Sequence, residues 1–138
     1  MSLFSITGKR PSNLGVSKSG LSDCPGSPNC VSSNMDKDCH HIAPFELAID
    51  FVIAWQEVRE AVLALLRTYV VTDTGTYLHA ECKSALFGFV DDLELYLCPD
   101  ENIIAVRSAS RLGYSDLGVN RERVERLRAL LRERGVVR

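Results

Sequence analysis

No stretch of the 138 residues approaches the roughly 18 consecutive apolar side chains that cross a bilayer as a helix, so a membrane-spanning helix is excluded. Phosphate-loop and dinucleotide fingerprints are missing as well, with no G-x-G-x-x-G and no Gly-Lys-Ser or Gly-Lys-Thr. Aromatic residues make up only 7% and offer no stacking platform. With an isoelectric point near 5.9, nucleic acid is a poor candidate partner. The opening residues, MSLFSITGKRPSNLG, carry Lys9 and Arg10 late and lack the apolar run of a secretory signal. The expectation is a soluble chain, cytoplasmic by default, with a plastid, lumenal or periplasmic address in a longer precursor left open.

What is present is ordinary in bulk and uneven in detail. A 46% hydrophobic, 25% charged chain of this length reads as one globular domain able to bury about two-thirds of its unfolded surface. The net charge of −2 hides a split. Residues 1–106 hold seven basic and fourteen acidic side chains, while residues 107–138 hold nine arginines, no lysine and four acids. Arginine suits planar, bidentate contact with carboxylate or phosphate. The plainer reading of the C-terminal segment is a solvated helix face laced with Glu–Arg pairs.

Residues 1–43 are rich in Ser, Gly, Pro and Asn without a period, and read as an extended arm packed on a domain spanning 44–138. APFELAIDF alternates like a short half-buried strand. Trp55, Val58, Val62, Leu65 and Leu66 then recur at helical spacing over 51–67, with Asp50 as N-cap. Strand candidates follow at 69–72, 77–83, 89–97 and 103–111, with CPDEN at 98–102 as a hairpin turn. A last helix is expected over 120–134, capped by Asn120 and ended by Gly135. The predicted class is α+β: a four-stranded antiparallel meander with two amphipathic helices on one face.

Pairing Leu97 with Ile104 across that turn places Glu94 opposite Arg107. Strand alternation puts Leu93, Leu95, Val106 and Ile104 under the helices, and collects His79, Glu81, Asp92, Glu94, Tyr96, Arg107 and Arg111 on the other face. Such a face is either an ordinary solvated surface or the floor of a polar cleft walled by the arm. Between the last strand and last helix, Ser108, Ser110, Arg111, Asp116, Asn120 and Arg121, with Gly113 and Gly118, have the composition of an anion site at a helix start. The same residues equally suit a well-capped loop.

CPGSPNC, Cys24 to Cys30, is the other dense stretch. Five cysteines are an odd number, against a pure disulfide framework. A zinc site drawing on Cys24, Cys30, Cys39 and His40 or His41 would need loose spacing. No nearby base lowers a thiol pKa for redox or nucleophilic work. The preferred reading is a structural corner that a Cys24–Cys30 disulfide can close, and neither metal nor cofactor is expected.

Three stretches, LGVSKSGLSDCPGSPNCVSS, LHAECKSALFGFVDDLELYL and VRSASRLGYSDLGVNRERVERLR, together resemble the family called domain of unknown function 1499, from about Asn13 to Leu131. Such proteins occur in bacteria and plastid-bearing organisms. The matching residues are Cys24, Pro25, Ser27, Pro28, Asn29 and Cys30, then Phe87, Gly88, Asp91 and Asp92. Arg107, Ser108, Ser110, Arg111, Gly113, Asp116, Gly118, Asn120 and Arg121 complete the pattern, and Cys39, His40, His41 and Cys98 stand outside it. The resemblance implies one compact domain and carries no activity with it. The residues themselves favour a module binding a small anionic or polar ligand through the charged face and the Arg107–Arg121 segment. The alternative is a protein-interaction or assembly factor, and less favoured is an acid/base enzyme using Glu81, Glu94, Asp92 or His79.

Overall fold

The structure, a computed structural model, describes residues 8–36, 39–84 and 88–138. In chain order the elements are a small hairpin of β1 (Val16–Ser17) and β2 (Gly20–Leu21), β3 (Cys30–Ser32), β4 (Phe45–Glu46) and α1 (Phe51–Ala64). Then come β5 (Thr68–Asp73), β6 (Tyr77–Lys83), β7 (Val90–Cys98), β8 (Ile103–Ser110) and α2 (Val119–Glu133). Antiparallel β5, β6, β7 and β8 form the meander, with Leu97 opposite Ile104 and Glu94 opposite Arg107. Asn102 adopts the left-handed conformation that closes the turn.

The sheet has six strands rather than four. The far edge of β8 is covered by β3, which pairs Cys30 with Ala109 and Ser32 with Arg107, and by β4, which pairs Phe45 with Ile104. The cause is the exposed ladder β8 would otherwise present. A three-residue strand inside a Pro- and Ser-rich segment carries too little period to be seen in sequence. The alternation of APFELAIDF is also cut short, since Leu47 turns to bond Asn102 and Ala48 bonds Val136.

One face of the meander meets both helices. Leu78, Leu93, Leu95, Ile104 and Val106 join Trp55, Val58 and Val62 of α1 and Val124, Leu127 and Leu131 of α2 in one core. Each fully buried Leu or Ile contributes about 1.5–3 kcal/mol of transfer free energy. Asp50 caps α1 by accepting from Val52 N at 3.1 Å. The helix stops at Ala64, short of 67, because Leu65 leaves helical backbone at φ −70° and ψ 140°.

Asn120 does not cap α2. Gly118 holds the N-cap position, and Asp116, two residues earlier, accepts from Gly118 N and Asn120 N, which leaves Asn120 buried in the first turn. Nor is α2 simply solvated. Arg126 pairs with Glu122 on the surface, but Arg128 reaches inward to the carbonyls of Ala43 and Pro44 and lies 4.7 Å over the Phe45 ring.

Cys24 and Cys30 are joined by a disulfide, which ties residues leading away from β2 to the first residue of β3. His40 Nδ1 donates to the Cys30 carbonyl and His41 Nδ1 to the Met35 carbonyl, while Cys24 and Cys30 are bonded to each other, so these residues do not converge as a zinc set. Opening the disulfide, by reduction or by Cys24→Ser with Cys30→Ser, should lower unfolding free energy by about 2 kcal/mol, as expected for a short ring. A urea midpoint that stays put would show that the corner is held by its hydrogen bonds alone.

Candidate functional site

The charged face of the sheet is not open to water. Glu94 and Asp92 are 0% and 1% exposed, and His79 and Arg107 are each 3% exposed. Residues 10–25 lie across it: Arg10 bonds Glu81, Gly15 N donates to Glu94, and the Asp23 carbonyl meets Arg107. The centre of this face is therefore not an ordinary solvated surface. What the sequence suggested as an open cleft is largely roofed, with small chambers left beneath the roof.

Two linked clusters fill the interface. In the first, Arg111 grips Asp92 with Nε and Nη2, both at 2.8 Å, and Nη2 also reaches Glu81. Asp92 Oδ1 holds His79 Nε2 at 2.7 Å, and Arg10 closes on Glu81 at 2.7 Å from outside. Burial is the largest single influence and would raise both carboxyls, but the hydrogen bonds and charges of their partners together outweigh it, the Arg111 hydrogen bond first among them. Helped by His79 for Asp92 and by Arg10 for Glu81, it holds both below their ordinary values. The hydrogen bond to Asp92 likewise raises Arg111, so its charge is permanent.

In the second cluster Glu94 Oε2 accepts from Tyr77 OH at 2.5 Å and from Gly15 N at 2.8 Å. Burial first, and then the bond to Glu94, push the Tyr77 hydroxyl upward, so it stays a donor. Arg107 faces Glu94 more loosely, with Nη1 at 3.4 Å from Oε1 and Nη2 at 3.4 Å from the Asp23 carbonyl. Its Nε is buried and, among the described residues, has no partner. Arg107 is one of the residues lining a cavity of about 330 Å³, with Pro11, Asn13, Cys24 and Arg111. A second cavity, of about 310 Å³, lies along His79, Tyr77, Thr72 and Leu14.

The remaining predicted residues lie on the other side of the sheet, as alternation along β8 requires. Ser108 donates to Asn120 Oδ1 at 2.7 Å, and Asn120 Nδ2 reaches Ser110, Asp116 and the Asn29 carbonyl. Arg123 joins Asn120, Ser108 and Asp91. Asn29 in turn holds the Gly113 carbonyl at 2.8 Å. This is a clip between the Cys24–Cys30 corner, β8 and the start of α2. It accounts for most of the polar residues between Ser108 and Asn120 as structure. Only Ser110 also borders the Arg107 cavity, and Arg121, half-buried on α2, does not. Phe87 lies outside the described residues.

Sequence reasoning missed Gly15, Arg10 and Asp23, which carry no period, and Tyr77, which did carry a signal through its phase with His79 and Glu81. His79, Glu81 and Asp92 bring ligand atoms within 4.8 Å of one another, a donor set suited to a divalent cation. Arg111 Nη2 already bridges Glu81 and Asp92 there, so a guanidinium fills the cation position.

A model of the family described as "Protein of unknown function (DUF1499)" matches residues 20–131. The chain belongs to that family. No curated protein and no solved structure matches it.

The pKa directions fix a pH response. Asp92 and Glu81, lowered in the fold, add stability that is complete above their unfolded values of about 4 and is lost as pH falls through the folded ones. Asp91, raised because burial outweighs Arg123, has the opposite sign and gains from protonation. With Asp116 and Asp73 also lowered, Tm should be flat near neutrality and fall below about pH 4. Asp92→Asn should lower stability by about 3 kcal/mol at neutral pH and flatten that acid limb. A wild-type acid limb in the variant would refute the assignment.

Proposed function

We propose that this member of the family binds a small, oxygen-rich ligand in the chamber beneath residues 10–25, with Arg107 as the anchor. The observation that carries the reading is the Arg107 guanidinium: almost wholly buried, with two contacts at 3.4 Å, an Nε without a partner among the described residues, and a place among the residues lining a cavity. A buried charged donor left unsatisfied costs about 1–3 kcal/mol, which a ligand oxygen would recover. The planar fork suits a carboxylate or phosphate oxygen.

Local charge narrows the class. Arg10, Arg107 and Arg111 face Glu81, Asp92 and Glu94, an even balance, so a ligand with several negative charges would be repelled. A cavity of about 330 Å³ is at the small end of ligand sites. The fitting molecules are small carboxylic acids, polyols and singly charged phosphate.

A second reading rests on His79. Asp92 fixes its Nε2, and the ring borders the neighbouring cavity, an arrangement that orients a histidine for proton transfer. Glu81 and Glu94 serve less well as acid or base, because arginine, tyrosine and backbone donors already hold their oxygens.

The test is a thermal-shift series with acetate, lactate, glycerol and phosphate on wild type and Arg107→Lys, which keeps the charge and removes the fork. A ligand at about a hundredfold over Kd adds about 2.7 kcal/mol, a Tm rise on the order of 5–10 °C. The rise should shrink by more than half in Arg107→Lys. No shift in wild type, or an undiminished one in the variant, would sink the proposal.

A further inference from the structure

The end of the molecule where the α1–β5 turn, the end of β6 and the β8–α2 loop converge presents apolar side chains that the fold does not use. Leu117 is 94% exposed, Leu66 73%, and Val119 stands half out beside them. Leu117 also holds a positive φ of 56°, a conformation that glycine or asparagine adopts freely and leucine only with strain. The strain is enforced. Asp116 accepts from Gly118 N and Asn120 N, and Ser115 Oγ accepts from Leu117 N, so the loop points its leucine outward. A strained leucine 94% exposed buries almost no apolar surface in return.

The setting of these side chains is cationic, although the whole chain is net negative. Leu66 and Val119 line a groove of about 270 Å³ together with Arg67, Lys83 and Arg126. Glu122 lines the same groove and pairs with Arg126, and Asp116 accepts the first amides of α2, so the charge without an acidic partner among the described residues is that of Arg67 and Lys83. A protruding apolar tip ringed by long basic side chains matches an anionic lipid surface. Acyl chains yield to a convex leucine, while arginine and lysine stems lie along the interface with their charges at the phosphates.

We propose that this end docks peripherally on anionic membranes, inserting Leu117 and Leu66 with Arg67, Lys83 and Arg126 at the headgroups. The groove shares no lining residue with the Arg107 cavity, so the inference stands apart from the ligand reading.

The experiment is co-sedimentation of the full chain with vesicles of phosphatidylcholine alone, and of phosphatidylcholine with phosphatidylglycerol in equal parts. Wild type should pellet with the anionic vesicles only, and raised salt should release it. Leu117→Asn should weaken partitioning about tenfold or more. Its Tm should stay level or rise, since asparagine tolerates the left-handed backbone, so lost binding cannot be blamed on lost fold. Lys83→Gln and Arg126→Gln should each weaken it about fivefold. Failure to pellet with anionic vesicles, equal binding to neutral ones, or wild-type binding by Leu117→Asn would each overturn the proposal.

Discussion

Glu94 has no surface in contact with solvent, and a carboxyl group in such a place costs several kcal/mol unless donors surround it. Three donors do: the Tyr77 hydroxyl from the neighbouring strand, the Gly15 amide from above, and Arg107 from the strand on the other side. Each brings a condition with it. Tyr77 and Arg107 require the β6–β7–β8 register, and Gly15 requires a positive φ of 101°, where a side chain would be strained. Residues 10–25 must then cross the sheet, and Arg10 and Asp23 fasten them at two further points. Burying one acid thus organises the roof, the register and the chambers between them.

The meander was legible because its signals are local and repeated. The turn at 98–102 fixes the pairing of Glu94 with Arg107, and alternation alone sorts leucines from charges. The roof was not legible, since residues 10–25 have no period and act through single contacts far away in sequence. The charged face read equally well as solvated or sheltered, because strand phase tells which side a residue faces and not what covers that side. The loop from Ser108 to Arg121 misled for a related reason. Its polar residues are close in sequence, but Arg107 and Arg111 face the roof while Ser108 faces α2.

β8 therefore works as a two-sided strip. Its odd positions 107 and 111 serve the buried ion clusters, and its even positions 108 and 110 serve the clip that fastens Asn29, Asp116, Asn120 and Arg123. Its outer edge is taken up by β3 and β4. The disulfide and the clip both end near Asn29 and Cys30, so the roof, the sheet edge and α2 share one anchorage. Such a junction explains why arginine is used so heavily here. Arg107, Arg111, Arg123 and Arg128 each bind several oxygens in fixed directions, which lysine's single ammonium does less rigidly.

Arg111 also has a meaning for descent. Its Nη2 bridges Glu81 and Asp92, and losing it would leave both carboxylates short of a counter-charge, so substitutions at these three positions are coupled across a lineage.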